Sequence, residues 1–368
     1  MNFKNIIGQA HAKQTLRGMV ENNRMPHALL LLAPSGAGGL PLALTYAQYV
    51  ICSDKTEGEP CGKCTACVKA EKMIHPDIHF SYPTIGPKTI ATHVLKEWRA
   101  AVSENVYMNA NQWLGKLDAE NKQGNIPVAE CVEIFKKLSL KTYEASHKIL
   151  VMWLPEYLGK EGNRLLKLLE EPPEETLFIL VAENQDLILN TILSRCQLVK
   201  LAPLSDDEVK NGLILRGVNE AEAEVICHLA DGDFNAAMTL SEQTENDNAQ
   251  LFLEWMRTCF KGHGVEMAQW VEKFATIGRE RQKLFLKYGL HFLRELMLLV
   301  TTGDTRLRLR GVELDTAMKM KSVIDFEKIE PMAKLFDDSS YYVERNANPK
   351  ILFLDLSIKM NKILRGIR

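Results

Sequence analysis

Residues 29–47 read LLLLAPSGAGGLPLALTYA, and the rest of the chain is best approached from this stretch. Four leucines make a short, fully apolar run of strand length. A glycine loop follows at Gly36, Gly38 and Gly39, and then a helical pattern begins. Strand, glycine loop and helix in that order are the layout of a phosphate-binding P-loop, G-x-x-x-x-G-K-S/T. Three positions of the pattern are altered: Ala33 stands for the first glycine, Gly39 for the lysine and Leu40 for the hydroxyl residue. In a working loop the lysine brings positive charge to the β- and γ-phosphates and the hydroxyl holds magnesium. Gly39 and Leu40 can do neither. Pro41 has no N–H to offer an anion, and Gly36-x-Gly38-x-x-Pro41 lacks the third glycine of a dinucleotide fingerprint. The shape of a nucleotide site is kept while its chemistry is missing.

A second run, HKILVMWL (147–154), supports the same reading. In nucleotide hydrolases an acidic group at the end of such a strand holds magnesium and helps position water. Trp153 and Leu154 occupy those places here, and Glu156 follows as a surface or helix-start carboxylate. With HALLLLA (27–33), TLFILVA (176–182) and CQLVKL (196–201), this run predicts buried strands, and IHFSYP (78–83) a further extended piece. PVAECVEIFKKLSL (127–140) and LGKEGNRLLKLLEE (158–171) carry helical spacing between them, the second stopped by Pro172–Pro173. Alternating strands and helices predict an α/β domain with a parallel sheet over residues 1–202. Residues 84–127 fit that alternation poorly and read as an insertion, with a helix over HVLKEWRAAVSEN (93–105) and polar linker after it. Trp98, Tyr107 and Trp113 could stack on bases, but helix packing is the simpler account. Beyond LAPLSDDEVKNGLILRG (201–217), where Ser205 and Glu208 form a capping box, the pattern is helical. It divides into a small unit (203–244) and a larger all-α domain (245–368).

A chain of 368 residues, 46% apolar and 25% charged, fits a globular protein of two or three domains. The net charge of −2 gives no general attraction to nucleic acid or anionic membrane. TRLRLRG (305–311) is the most basic short run outside the cysteine cluster and reads as a solvated helix end. The N-terminus lacks a charged-then-apolar signal pattern, so the cell interior and reduced cysteines are expected.

Four of the eight cysteines, Cys52, Cys61, Cys64 and Cys67, lie within sixteen residues. C-x8-C-x2-C-x2-C supplies four thiolates, enough to close a tetrahedral zinc site with no open position for catalysis. Gly58, Pro60 and Gly62 suit the turns of such a knuckle. Glu71 stands where an iron–sulfur run would want another cysteine. Cys131, Cys196, Cys227 and Cys259 are scattered and read as small buried side chains. His75 and His79 are not needed as further ligands.

Three stretches together point to a family. They are FKNIIGQAHAKQTLRGMVENNRMPHALLLLAPSGAGG (3–39), the cysteine knuckle with the His75–Asp77 HPD, and GNRLLKLLEEPPEETLFILVAENQDLILNTILSRCQ (162–197). They resemble the delta-prime family of bacterial DNA polymerase III clamp-loader subunits, AAA+ proteins without a working ATPase site. The likeness covers about residues 1–82 and 126–202. It implies an AAA+ core followed by a helical lid and an all-α collar domain. It also implies assembly with gamma/tau ATPase subunits and a delta subunit. Sliding clamp and primer-template DNA would be reached through that complex, in the bacterial cytoplasm at the nucleoid. Ser194–Arg195–Cys196 is similar to the family's SRC motif, so the resemblance makes Arg195 an arginine finger acting in trans, with Ser194 beside it. Asn235, in LADGDFNAAM (229–238), stands where AAA+ relatives carry a second sensing arginine. Structural zinc is the implied cofactor, with no productive ATP or magnesium in this chain. The gamma/tau ATPase itself is disfavoured by Gly39, Leu40, Trp153 and Leu154. A stand-alone zinc-dependent nucleic-acid-binding protein is the other alternative.

Overall fold

The computed structural model describes residues 1–117, 123–242, 246–303, 309, 312–321 and 323–366. The chain divides into two compact units, one of residues 1–220 with 230–237 and one of 221–229 with 238–368.

The first unit is built on five strands: β1 (Ala28–Leu32), β2 (Ile78–Ser81), β3 (Lys148–Trp153), β4 (Thr176–Ala182) and β5 (Gln197–Lys200). They pair in the order β2-β3-β4-β1-β5, every pair parallel. The register sets Leu30 beside Leu180 and Leu198, and Leu150 beside Phe178. Both faces of β3 and β4 are buried, as continuous apolar runs require in a parallel sheet. Side chains alternate between two cores. Leu29, Leu31, Ile149, Val151, Trp153, Ile179 and Val181 face one; Leu30, Leu150, Met152, Phe178 and Leu180 face the other. β5 departs from expectation: Gln197, Leu198 and Lys200 are exposed, because this short strand closes the sheet as an edge.

Helices α1 (Ala10–Glu21), α2 (Gly39–Ile51) and α3 (Thr65–Glu71) precede β2. α2 is buried along all thirteen residues, which its apolar circumference permits. Up to residue 117 the 84–127 segment is not the polar linker expected after residue 105, and residues 118–122 of that linker lie outside the described residues. The segment forms α4 (Leu95–Glu104) and α5 (Ala110–Gly115), and Trp98, Tyr107 and Trp113 are all buried. Trp98 stacks on Tyr82 at 4.0 Å between ring centroids, with Trp113 edge-on at 5.1 Å. These aromatics are packing, and the base-stacking alternative is set aside by their burial. α6 (Val128–Leu138) lies on the other face, where Cys131, Ile134 and Leu138 join the second core.

The helix expected over 158–171 is interrupted. Residues Pro155–Leu165 form a tighter 3-10 stretch broken at Gly159 (φ 51°, ψ −134°), and only α7 (Leu166–Glu170) is regular. It ends before Pro172, whose ring disfavours a helical residue ahead of it. α8 (Asn190–Leu193) precedes the SRC residues, and α9 (Asp206–Leu215) opens on the expected capping box of Ser205 and Glu208.

The second unit is helical throughout its described residues. Phe252, Trp255, Phe274, Phe285, Phe336 and Phe353 form its core, and the buried Trp255 Nε1 donates to Ser357 Oγ at 2.9 Å. Of TRLRLRG only Leu309 is among the described residues, and it is buried. No helix among the described residues is long and apolar enough to cross a membrane. Cys131, Cys227 and Cys259 are buried as expected, whereas Cys196 is only half-buried.

Candidate functional site

The glycine loop joins β1 to α2, with Gly36 (φ +69°) and Gly38 (φ +94°) in the left-handed region where a side chain would be strained. Gly39 begins the helix, and a Cβ placed there would meet Ala33 Cβ at 2.7 Å and Val181 Cγ1 at 2.9 Å. A side chain at position 39 would therefore require Ala33 or Val181 to shift. Leu40 is buried beside it. The cavity behind the loop measures about 20 Å³, and its wall includes Ala33, Gly38, Leu40, Tyr107, Trp153 and Glu183. That volume is on the scale of a single water.

Trp153 and Leu154 stand at the end of β3, both buried. Trp153 faces the aromatic cluster of the 84–127 segment, 5.3 Å from Trp98 between centroids. Leu154 has left-handed backbone angles (φ 58°, ψ 61°), uncommon for a bulky residue, and its N–H donates to Val181 O at 2.8 Å. Glu156 is a helix-start carboxylate, as expected, and also binds β4's exit. Its Oε1 accepts the N–H groups of Glu183 at 2.5 Å and Asn184 at 2.8 Å. Burial pushes its carboxyl above the usual range despite those donors. The buried Asn235 accepts from Asn105 Nδ2 at 2.7 Å. Sequence reasoning missed Asn105, Val106 and Met108 altogether, since nothing local marks a residue for a cleft built from distant elements.

Arg195 lies after α8, with its side chain 32% exposed and ion-paired to Glu170 at the end of α7. Nη1 also donates to Thr191 O at 2.8 Å and Ser194 Oγ at 3.3 Å. Ser194 is exposed. The guanidinium is thus held at the surface by one carboxylate and two local acceptors. Glu170 gave no signal in the sequence beyond an acidic helix end.

The four Sγ atoms of Cys52, Cys61, Cys64 and Cys67 lie within 4.8 Å of one another. A tetrahedral zinc–thiolate site, with bonds of about 2.3 Å, sets its sulfurs about 3.8 Å apart; Cys61 and Cys67 are separated by 3.9 Å. Cys61 Sγ accepts N–H groups from Lys63 and Cys64, at 3.4 and 3.3 Å, and Cys64 Sγ accepts that of Cys67 at 3.4 Å. Burial opposes ionisation of Cys64, but the N–H groups of Cys67 and Ser53 outweigh it and bring the thiol to about 6. The set fits a thiophilic ion.

The HPD residues are architectural. His75 Nδ1 accepts the Asp77 N–H at 3.1 Å. The Asp77 carboxylate gathers the N–H groups of Tyr143, Glu144 and Ala145, at 2.6, 2.9 and 2.8 Å, and so fixes the loop entering β3. Next along, burial pushes the His79 ring down to about 4, with Lys137 adding to the effect. Its unfolded value is near 6.5, so the stability it contributes is complete above that pH and is lost as pH falls toward 4. Between pH 7 and 5 this amounts to at most about 2 kcal/mol. Urea unfolding of His79→Gln should show a flatter loss over that interval than wild type. A parallel loss would place the acid sensitivity elsewhere.

Comparison with known proteins adds to this geometry. Residues 8–205 match the family described as DNA polymerase III, delta subunit. DNA polymerase III subunit delta' of Bacillus subtilis is 27% identical over 237 residues, covering 64% of this chain and 60% of that protein. Subunit tau of the same organism is 23% identical over 376 residues, covering 95% of this chain and 60% of that protein. Subunit delta' of Escherichia coli is 28% identical over 177 residues, covering 48% of this chain and 42% of that protein. The chain therefore spans less than two thirds of the length of each of these relatives. The parallel five-stranded sheet with flanking helices is the α/β architecture expected for residues 1–202. With the family match running from Gly8 to Ser205, more than half of its length, the chain belongs to the DNA polymerase III delta-subunit family.

Proposed function

We propose that this chain is a clamp-loader subunit of DNA polymerase III that hydrolyses no ATP itself and lends Arg195 to the ATP of a neighbouring subunit. The observation that carries this reading is the glycine loop itself, where Gly39 packs against Ala33 and Val181 and Leu40 is buried, so neither a lysine nor a hydroxyl is offered to a phosphate. The residues that replace lysine, hydroxyl and acidic pair are buried in or beside that loop, while Arg195 is partly exposed. A planar guanidinium offers paired donors to a γ-phosphate and stabilises the charge that develops on transfer.

In this reading the partners are gamma/tau-type ATPase subunits and a delta subunit, with clamp and primed DNA engaged through the complex in the cytoplasm. Residues 1–202 form the ring-packing core, 203–244 the lid and 245–368 the collar. The cysteine module holds a structural zinc. It supplies a cross-link between α3, the end of α2 and the intervening loop, and no step of ATP chemistry passes through it.

The test is nucleotide titration of the isolated chain, wild type and the double variant Gly39→Lys with Leu40→Thr. Neither should bind a fluorescent ATP analogue saturably at millimolar concentration. The variant should melt earlier, since overpacking costs about 1–3 kcal/mol. Saturable binding by the wild type would instead favour the second reading, an ATP-hydrolysing gamma/tau-type subunit. That reading draws on the similarity to tau over 95% of this chain.

A further inference from the structure

We propose that residues Asn105–Met108 are a built-in wall that narrows the pocket at the glycine loop, with Tyr107 tying the glycine loop, the N-terminal segment and the residues after β5 into one fixed arrangement. Tyr107 is buried and touches Ile7, Gly38 and Phe234, one from each of the three. Its hydroxyl accepts the N–H of Ile7 at 3.0 Å. A Cβ at Gly38 would meet its Cε1 at 3.3 Å, so ring and loop backbone are in close contact. Its ring packs against Phe234 at 5.1 Å between centroids, and the Arg216 guanidinium lies 4.8 Å from the Phe234 ring and 5.7 Å from that of Tyr107.

Independent contacts reinforce the arrangement. Asn105 Nδ2 donates to Asn235 Oδ1 at 2.7 Å. The Phe234 N–H donates to Gly36 O at 3.2 Å, and Asp233 sits so close to Gly36 that a Cβ there would lie 1.9 Å from Oδ1. Val106 and Met108 line the same cavity. At the far end of the segment, the Trp98–Trp113–Tyr82 cluster anchors it to Trp153. A nucleotide could enter only by breaking several of these contacts together. In an ATP-responsive subunit, bound nucleotide would set how loop and following helices meet; here a stretch of the chain's own sequence holds them in one state. The inference concerns the chain alone and does not depend on Arg195 acting in trans.

Amide hydrogen exchange on the intact chain tests it, read at Ile7, in α9 and over 234–237, with β1, β3 and β4 as reference. Tyr107→Ala should speed exchange at the first three by about ten-fold or more and leave the reference strands within about two-fold. Millimolar p-cresol, a phenol of the missing side chain's size, should return most of the protection. Unchanged exchange, or acceleration spread evenly over the sheet, would overturn the proposal. So would protection of residues 34–39 in the wild type by millimolar MgATP, because nucleotide would then enter in spite of Tyr107. Should Tyr107→Ala not fold, Tyr107→Phe keeps the ring and removes one acceptor. Exchange at Ile7 alone should then rise by about three- to ten-fold, and an unchanged Ile7 would count against the proposal.

Discussion

Replacing Arg195 with alanine should cripple one ATPase site of a reconstituted loader while leaving this chain's own fold intact. The side chain makes one ion pair with Glu170, and both groups are substantially exposed. Such a pair contributes about 0–1 kcal/mol, so thermal melting of the variant should stay close to wild type. The same weakness makes the guanidinium available, because a γ-phosphate can displace a solvent-screened carboxylate at little cost. Arginine fingers in nucleotide hydrolases are worth about 10³–10⁵ in rate at the site they serve. Only the neighbouring site is affected, so total DNA- and clamp-stimulated hydrolysis should fall partially, and clamp loading more severely. The measurement is steady-state hydrolysis and loading with ATPase partners and delta subunit held constant, and assembly checked by gel filtration. An assembled variant that works like wild type would make Arg195 a surface residue and remove the in-trans role. Failure of the wild-type chain to join a loader would remove the assignment to the complex.

Removal of the proposed zinc by chelation, or replacement of Cys64 with serine, should destabilise the first unit strongly. The module is connected to its surroundings in three ways. Cys52 ends α2 and Cys67 lies within α3, both buried. Glu59, in the loop between Cys52 and Cys61, accepts the Phe3 N–H at 2.7 Å and pairs with Arg17 of α1. Without an ion the thiols would take up protons and the bonds joining loop and helices would be lost, so the loop would open. Loss of a structural metal belongs among the few single changes worth about 3–5 kcal/mol. At about 2–4 °C per kcal/mol for a unit of this size, the melting temperature should drop by about 6–20 °C. The experiment pairs calorimetry with metal analysis: about one zinc per chain in the wild type, and less in Cys64→Ser and after chelation. Metal-free wild type that melts unchanged would make the cluster four reduced thiols with no structural load.

How much of this was visible beforehand depends on the range of the interaction. The strands β1, β3 and β4 were legible because apolar runs of that length between helical patterns must be buried on both sides. The capping box at Ser205 and the stop at Pro172 were legible because both act over three or four residues. β5 was misjudged as buried, since CQLVKL reads the same at an edge as at a centre and only the pairing order separates them. The helix over 158–171 was overextended because Gly159 breaks it with a backbone angle that spacing does not show.

The sequence by itself determined a strand, glycine loop and helix in that order, with Gly39, Leu40, Trp153 and Leu154 where a P-loop hydrolase would carry lysine, hydroxyl and acidic groups. It also brought together the four cysteines, whose short spacing places them in one site without help from the rest of the chain. Only the tertiary structure decided what became of the empty cleft. Tyr107 is 69 residues from Gly38 and 127 from Phe234 along the chain, so no periodicity or spacing could pair them. Parallel β2 and β3 leave a long crossover between them, and its residues 106–108 lie against the glycine loop. Contacts of that kind are set by how the sheet orders its strands, which is a property of the whole unit and of no single stretch.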